Sequence, residues 1–311
     1  MMYRIGVDLG GTNIAVGLVD ENWSIVGTAS TPTRPENGAA GVVRDIAQTI
    51  QNTLIFGGVS LSDCAGIGVG SPGNCDSAGG VVRNAHNLNW DSVPLCAMLE
   101  AAAGLPARLA NDGDCAALGE VVAGAAKGSG SALLVTLGTG VGAGLILEGK
   151  IRSGHRSLGG EFGHMCIQMG GEACTCGQKG CWEAYASATA LIRQARRAAA
   201  EHPESALNAA EKLDGRSIYA AAAAGDAAAR EVTARYAEYV GVGLVNLINA
   251  LFPEVILLGG GVAGAGEALF GPVREFVSHN LFVGDPALCP PILPAALGND
   301  AGIIGAAALW T

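Results

Sequence analysis

The sequence predicts an α/β protein in which two domains are built from a duplicated unit. The chain has 311 residues, which is enough for two domains and a large core. Hydrophobic residues make up 50% of it and aromatic residues only 5%, and 48 residues are glycines. Such a core consists of small aliphatic side chains with frequent tight turns, as in α/β proteins. A strand, a glycine-rich turn and a second strand occur near the N-terminus and again near mid-chain.

The first half of the chain alternates apolar strands with amphipathic helices. The first strand ends at Asp8, and Gly10-Gly11-Thr12 turns the chain into a second apolar strand. Apolar residues at helical spacing predict a long helix from residue 38. The predicted elements are strands 3–8, 13–19, 23–29, 65–70 and 107–110, helices 38–56 and 93–103, and a loop carrying His86, Asn87, Asn89 and Trp90.

The second half begins like the first. Residues 7–12 read Val-Asp-Leu-Gly-Gly-Thr and residues 135–140 read Val-Thr-Leu-Gly-Thr-Gly. Such common residues also match by chance, but here each set lies between two apolar strands, which indicates a duplication. The apolar stretch 239–258 is interrupted by polar residues and predicts a buried helix and strand, not a membrane span. Helices are expected over 185–251 and 301–310, and a strand over 255–258.

Charge and cysteine content narrow the class of protein. The net charge of −10 argues against a nucleic-acid partner, which requires clustered lysine and arginine. The N-terminus MMYRIGVDLG enters a strand without a signal peptide, so we expect a cytoplasmic protein without a membrane partner. Nine cysteines without a regular framework agree with a reducing compartment. Those outside the cluster described below are Cys64, Cys75, Cys96, Cys115, Cys166 and Cys289.

Three glycine turns follow strands and are candidate phosphate-binding loops. Glycine lets backbone N–H groups approach phosphate oxygens without interference from a Cβ atom. The turns lie at residues 10–13, 138–142 and 259–264. None matches the Walker motif or the dinucleotide-binding motif, and plain hairpins remain the alternative.

Two aspartates at strand ends are candidates for chemistry. Asp8 precedes the first glycine turn, where it would orient Mg²⁺ or cap the turn. Asp112 follows Asn111 at the end of a buried strand. It would accept a proton from a substrate hydroxyl or serve as the N-cap of the next helix.

The segment 161–183 carries one histidine and three cysteines at close spacing. His164, Cys174, Cys176 and Cys181 would fill the tetrahedral shell of a structural zinc and leave no position for a catalytic water. The Cys-x-Cys spacing is tighter than that of common zinc fingers. Two carboxylates that bracket the cluster would then be free for a substrate, namely Glu161 and Glu183.

These motifs together resemble the ROK family of sugar kinases and repressors, which has the duplicated actin-like ATPase (ribonuclease H-like) fold. The resemblance rests on DLGGTN at 8–13, LGTGVGAG at 137–144, GGEFGH at 159–164 and CTCGQKGCWE at 174–183. The strand ending in Asn111-Asp112 and LLGGGV at 257–262 also correspond. The bacterial glucokinases of the family are the most similar in these motifs.

The resemblance implies that the chain uses ATP and Mg²⁺ to phosphorylate a hexose at its 6-hydroxyl, with glucose as the expected hexose and Zn²⁺ as a structural ion. It implies Asp112 as general base. Sugar contacts would come from Asn111, Asp112, Glu161, His164, Glu183, Gly73 and Asn87. ATP and its metal would be held by Asp8, Gly10, Gly11, Thr12, Asn13, Gly138, Thr139, Gly140, Gly260 and Gly261, and zinc by His164, Cys174, Cys176 and Cys181.

The family also implies a homodimer and two domains that close over the substrates. We expect a small domain over 1–117, rejoined by a C-terminal helix at 301–311, and a larger one over 118–300. Asn13 and Gly113-Asp114 depart from the common pattern of Lys and Ala-Asn. Other kinase substrates remain open: N-acetylmannosamine, fructose, mannose and allose. So do a sugar-binding module without catalysis and a repressor, although a repressor has a helix-turn-helix domain before the first glycine turn.

Overall fold

Residues 2–311, which the computed structural model of the protein describes, contain thirteen strands and nine α-helices. The strands are Tyr3–Leu9 (β1), Asn13–Val19 (β2), Ile25–Pro32 (β3), Cys64–Ser71 (β4), Asn74–Asp76 (β5), Val81–Ala85 (β6), Trp90–Val93 (β7), Ala107–Asn111 (β8), Ala132–Leu137 (β9), Val141–Leu147 (β10), Lys150–Ile151 (β11), Val255–Gly259 (β12) and Ile292–Pro294 (β13). The helices are Gly38–Gly57 (α1), Leu95–Ala103 (α2), Asp112–Val122 (α3), Glu183–Ala186 (α4), Ala188–Glu201 (α5), Gly215–Ala223 (α6), Ala227–Leu251 (α7), Glu267–Asn280 (α8) and Asp300–Ala308 (α9).

The chain forms two units, each with its own internal contacts. Unit 1 contains residues 2–132, Gly144–Gly160 and Ala296–Thr311, and unit 2 contains Leu133–Ala143 and Glu161–Ala295. The strands form two five-stranded sheets, ordered β3-β2-β1-β4-β8 and β11-β10-β9-β12-β13, and one small sheet ordered β5-β6-β7. In the part of the chain that the structure describes, no helix has the length and apolar character that a membrane crossing requires.

The register of the first sheet brings the candidate polar residues to one edge. Strands β1, β4 and β8 are parallel, and Asp8 pairs with Gly70 while Ser71 pairs with Asn111. The carboxyl ends of parallel strands therefore meet there, which is where ligands bind in open α/β sheets. Asp112 follows β8 directly and is the first residue of α3.

The first sheet is covered differently on its two faces. Helices α1 and α2 contribute the large aliphatic side chains of one core, packed on β1, β2 and β4. Helix α9 packs on β1, β4 and α3 through small residues. A Cβ atom at Gly6 or Gly68 would overlap a carbonyl oxygen of α9, and one at Gly305 would overlap the carbonyl of Cys115 in α3. These elements are therefore in backbone contact.

A fully buried carboxylate fixes the segment that leads into α9. Glu120 at the end of α3 accepts hydrogen bonds from the backbone N–H groups of Ala125, Ala296 and Leu297, each at 2.8 Å. Charged acceptors make strong hydrogen bonds to backbone N–H groups when both are removed from water. Glu120 thus holds residues 296 and 297 near α3, just before α9 begins.

Most predicted elements are present, with three differences. Helix α2 begins two residues later than predicted, because Val93 belongs to β7. Strand β3 begins two residues later than predicted, because Trp23 has φ of 65° and lies in the turn. The predicted loop around His86 is ordered as the small sheet β5-β6-β7, with a 3-10 helix at His86–Leu88. Its strands have three to five residues, too short for a clear alternation of polar and apolar side chains.

Candidate functional site

The first glycine turn joins β1 and β2 and lines a cavity in unit 1. The Gly10 N–H donates to the Asn13 carbonyl at 2.9 Å. Thr33, after β3, donates its hydroxyl to Gly10 O at 2.7 Å and its N–H to Thr12 O at 3.0 Å. Thr33 thus braces the turn, and no local motif indicated it. The cavity, of about 680 Å³, is lined by Asp8, Gly10, Thr12, Asn13, Ala15, Val16, Thr28, Ala29, Ser30, Asn299, Asp300 and Ile303.

Asp8 lines this cavity and has a raised pKa. Burial, and to a smaller extent the negative charge of Asp112, raise the pKa of Asp8 from 3.8 to about 6. The close packing of Gly302 causes part of the burial, since a Cβ there would lie 2.9 Å from an Asp8 carboxylate oxygen. A second carboxylate, Asp300 at the start of α9, lines the same cavity. A divalent cation would relieve this concentration of negative charge.

Replacing Asp8 with asparagine is expected to stabilise the ligand-free protein above about pH 6, by up to about 3 kcal/mol. Because the pKa of Asp8 is raised in the folded state, its contribution to stability is fully present below about pH 4 and is lost as the pH rises through about 6. The advantage of the variant should therefore shrink between about pH 7 and pH 4, as measured by urea unfolding.

The control is Asp63→Asn, which removes one exposed carboxylate from the same unit. It should change stability little at any pH in this range. An Asp8→Asn variant whose stability difference from the unchanged protein does not vary with pH would contradict the assignment.

Asn111 and Asp112 occupy the start of α3 in different roles. The Asn111 side chain is the N-cap: it accepts from the Gly113 N–H at 2.8 Å and donates to the Gly73 carbonyl at 3.2 Å. The alternative that Asp112 is itself the cap is therefore wrong. Asp112 is the first helical residue, its Oδ1 accepts from Gly113 N at 2.8 Å, and its side chain is half-buried. The helix N-terminus favours the ionised carboxylate that a base requires.

Asp114, which departs from the family pattern, does not face solvent. It is buried and accepts a hydrogen bond from the hydroxyl of Ser153. The backbone carbonyl of Ser153 also accepts a hydrogen bond from the Gly159 N–H. Asp114 therefore ties the first turn of α3 to the segment that precedes Glu161 in the sequence.

Gly73 and Asn87 both lie beside the other candidate residues of unit 1. Gly73 has φ of 84°, and a Cβ atom there would overlap the Asn84 carbonyl, so only glycine fits. Exposed Asn87 lies in the 3-10 helix after β6, and its Cβ would be 3.0 Å from a Cβ at Gly11. The small sheet thus places Asn87 against the first glycine turn.

The second glycine turn, between β9 and β10, is anchored by the helices that follow the cysteine-rich segment. The N-terminus of α5 binds it: Ala188 N donates to Gly138 O at 2.8 Å, and Thr189 Oγ1 donates to Thr139 O at 2.9 Å. The third glycine loop packs behind it, because Gly260 has φ of 83° and lies against the backbone of Leu137. The two turns are therefore neighbours in unit 2.

Glu183 links the second glycine turn to the cysteine-rich segment. Its Oε2 accepts the Val141 N–H at 3.0 Å, and its Oε1 accepts the Thr175 hydroxyl at 3.3 Å. A Cβ atom at Gly140 would overlap this carboxylate, so the glycine permits the contact. The Cys174 thiol also donates to Oε1, at 3.7 Å. An ionised carboxylate has about four acceptor positions, so one remains for a ligand.

His164, Cys174, Cys176 and Cys181 come together as a metal-binding cluster. Their candidate ligand atoms all lie within 4.8 Å of one another. Cys174 Sγ is 3.7 Å from His164 Nδ1, and Cys176 Sγ is 3.6 Å from Cys181 Sγ. Two sulfurs bound tetrahedrally to zinc at 2.3 Å would be about 3.8 Å apart. The separations of 3.6 and 3.7 Å are close to that spacing, and the four side chains are grouped around one metal-sized site.

The backbone of the cluster is folded by glycines and by a buried tryptophan. Gly177 and Gly180 have φ of 88° and 82°, and a Cβ at Gly180 would overlap the Gln168 carbonyl. Trp182 is fully buried, donates to the Tyr239 carbonyl at 2.8 Å and packs on Gly243 of α7. Neither tertiary contact could be inferred from local spacing.

Glu161 is placed differently from Glu183. It is exposed and precedes the 3-10 helix Phe162–His164, with its carbonyl accepting the His164 N–H at 3.0 Å. The ring nitrogen Nδ1 of His164 faces the sulfur of Cys174, so Nε2 is the nitrogen available to another ligand. The candidate sugar residues Gly73, Asn87, Asn111 and Asp112 belong to unit 1, and Glu161, His164 and Glu183 belong to unit 2.

Comparisons with known proteins agree with these motifs. The model of the ROK family matches residues 4–311. A glucokinase of Halalkalibacterium halodurans is 40% identical over 310 residues, covering 97% of this chain and 93% of the relative. A glucokinase of Thermotoga maritima is 37% identical over 316 residues, covering 98% and 96%.

Solved structures lead to the same family. The crystal structure of a ROK family glucokinase from Streptomyces griseus, in complex with glucose and AMPPNP, has a TM-score of 0.81 and 36% identity. The match covers 99% of this chain and 98% of that one. It confirms the predicted α/β fold, with its two units and its histidine–cysteine cluster. From the match over nearly its whole length and from its glycine and cysteine motifs, the chain belongs to the ROK family.

Proposed function

We propose that the protein is an ATP-dependent hexose kinase that phosphorylates the 6-hydroxyl of glucose. The observation that carries the proposal is the pairing of Asp112, at the N-terminus of α3, with Asp8 in a glycine-lined cavity of the same unit. A base for a hydroxyl and a carboxylate for Mg²⁺ are two of the parts that phosphoryl transfer needs. The names of the similar proteins, glucokinases in each case, support the choice of substrate.

In this proposal Asp112 accepts the proton of the 6-hydroxyl as the oxygen attacks the γ-phosphorus of ATP. Asn111 fixes the backbone before it, because its side chain caps α3 and reaches Gly73. Mg²⁺, when bound with ATP, neutralises charge on the phosphates. Asp8 would orient that ion or its waters, with Asp300 lining the same cavity.

The nucleotide would be held by the three glycine turns, at the residues Gly10, Gly11, Thr12, Asn13, Gly138, Thr139, Gly140, Gly260 and Gly261. The backbone N–H groups of Gly10 and Gly138 donate within their own turns, so the contacts to phosphate would come from the other N–H groups. The open space beside Gly138 and Gly261 supports this role for the second and third turns, since a Cβ atom at either residue would meet no other atom within 4 Å. The acidic protein supplies no lysine in these turns, so neutralisation falls to Mg²⁺ and to the backbone.

The sugar would be oriented by Asn111, Asp112, Glu161, His164, Glu183, Gly73 and Asn87. Carboxylates and imidazole nitrogen accept hydrogen bonds from sugar hydroxyls, and an unmatched polar group is costly, so their positions select the epimer. We propose zinc as the ion of the cluster. It would hold His164 through Nδ1 and leave Nε2 for the sugar.

We further propose that the two predicted domains, 1–117 with 301–311 and 118–300, are the functional lobes of the kinase, and that the protein is a homodimer. Its mass in solution, measured by light scattering, tests the dimer. Phosphorylation of N-acetylmannosamine, fructose, mannose or allose is the alternative within the same chemistry. Sugar binding without catalysis is the alternative outside it.

A coupled assay of ADP formation across a panel of these sugars tests the proposal. We expect ATP turnover to depend on added sugar, with the highest kcat/KM for glucose and with glucose 6-phosphate as product. A higher kcat/KM for another hexose would replace glucose as the substrate. Absence of sugar-dependent turnover, with sugar binding detected by calorimetry, would contradict the kinase.

A further inference from the structure

Cys166 lies beside the metal cluster but is not one of its four ligands. It is exposed, whereas Cys64, Cys75, Cys96, Cys115 and Cys181 are buried. Its backbone pairs with that of Cys181, a predicted metal ligand, in a single antiparallel β-type pair outside the sheets. The chain therefore places an accessible thiol directly across from a buried one.

The backbone hydrogen bonds around this pair define its geometry. Ile167 N donates to Gly180 O at 2.8 Å, and Trp182 N donates to Met165 O at 2.8 Å. These bonds flank Cys166 and Cys181, which are therefore a non-hydrogen-bonded antiparallel pair. In such pairs the Cα atoms are about 4.5 Å apart and the side chains lie on the same face. Disulfides span Cα separations of about 4.4 to 6.8 Å.

The Cys166 thiol faces the segment that carries Cys181. The Cys166 Sγ atom lies 3.8 Å from the carbonyl oxygen of Lys179 on the opposite segment. It also lies over Gly180, where a Cβ atom would be only 3.1 Å from Cys166 Sγ. Because residue 180 is glycine, the thiol has space to rotate about its Cα–Cβ bond toward Cys181.

We propose that Cys166 and Cys181 form a reversible disulfide under peroxide and that its formation releases the metal ion of the cluster. Hydrogen peroxide oxidises the exposed Cys166 thiolate to the sulfenic acid and is itself reduced to hydroxide. The Cys181 sulfur then attacks the sulfenic sulfur, the S–S bond forms, and the S–O bond breaks with loss of a second hydroxide, which takes up a proton. A thiol reductant reverses the bond.

Loss of Cys181 leaves the metal with three ligands. A structural zinc site needs a closed shell of four, so the ion is held more weakly and exchanges with solvent. His164 then loses the bond that fixes its ring. If the proposed function is right, oxidation therefore weakens sugar binding, and this last consequence rests on that proposal.

The test treats the zinc-loaded full-length protein with hydrogen peroxide and records released zinc with a chromogenic chelator. The sequence permits a direct assignment of the disulfide. Cleavage after Glu and Lys separates the three relevant peptides, which are 162–172 with Cys166, 173–179 with Cys174 and Cys176, and 180–183 with Cys181. We expect peptides 162–172 and 180–183 to be linked, in proportion to the zinc released and until dithiothreitol is added.

Two variants complete the test. Cys166→Ser keeps all four ligands and should release zinc at least about tenfold more slowly, because the peroxide-reactive thiol is missing. Cys289→Ser, which removes a half-buried cysteine elsewhere in unit 2, should behave as the unchanged protein. Both readouts are independent of phosphoryl transfer, so they stand even if glucose is not the substrate.

Two outcomes would overturn the proposal. One is a link between peptides 173–179 and 180–183 in place of the expected pair, which would mean that the ligands oxidise one another. The other is zinc release from Cys166→Ser at the rate of the unchanged protein. A protein purified without bound zinc would refute the metal release, while the peptide link would still report on the disulfide.

Discussion

Replacing Asp112 with asparagine is expected to lower the rate of sugar phosphorylation by at least about a hundredfold, the usual range for loss of a general base. The sugar dissociation constant should change by less than about tenfold, because the amide oxygen can still accept the Gly113 N–H and the helix start is preserved. Single-turnover kinetics measure the first quantity and calorimetry with the sugar alone measures the second.

The control for Asp112→Asn is again Asp63→Asn, which removes an equal charge from an exposed position in unit 1. It should retain the rate of the unchanged protein. Near-normal phosphorylation by Asp112→Asn would exclude Asp112 as the base. Loss of sugar binding together with the rate would instead assign it to positioning the substrate.

Removing the metal is expected to weaken sugar binding about ten- to a hundredfold, the equivalent of one or two lost hydrogen bonds to charged groups. The reason is that the cluster carries His164 and adjoins Glu161 and Glu183, whose positions depend on how the segment folds. Chelation or Cys174→Ser should both have this effect, measured by calorimetry, and zinc added after chelation should restore affinity. Metal analysis of the purified protein identifies the ion.

Cys289→Ser is the matched control for Cys174→Ser, since it removes a cysteine of the same unit that lies outside the cluster. Unchanged sugar affinity after complete metal removal would refute the idea that the cluster supports sugar recognition. A protein that contains no metal when purified under reducing conditions would refute it as well.

The sequence was most informative where chemistry depends on residues close in the chain. Glycine turns after strands, the asparagine–aspartate pair at a helix start and the histidine–cysteine spacing are local patterns, and the structure places each on the expected element. The motifs also led to the ROK family, which the comparisons confirm. The roles of individual residues in binding remain predictions.

Contacts between distant residues could not be predicted. Thr33, after β3, donates a hydrogen bond to the first glycine turn, and Asp300 lines the same cavity as Asp8. Trp182 connects the cysteine-rich segment to α7 through its hydrogen bond to the Tyr239 carbonyl. Each depends on tertiary packing, for which a single sequence gives no periodic signal. The small sheet was missed for a different reason, since its short strands carry too few residues to distinguish from a loop.

The backbone contacts of α3 and α9 limit how this protein can diversify. Where main chain meets main chain, as at Gly305 and Cys115, no rotamer change can absorb an added methyl group. The packing of α3 against α9 therefore fixes the position of Asp112 at the start of α3. Substitutions at these contacts cannot adjust that position. We expect new sugar preferences to arise in the segments around Asn87 and Glu161, where exposed side chains can vary without moving Asp112, the proposed base.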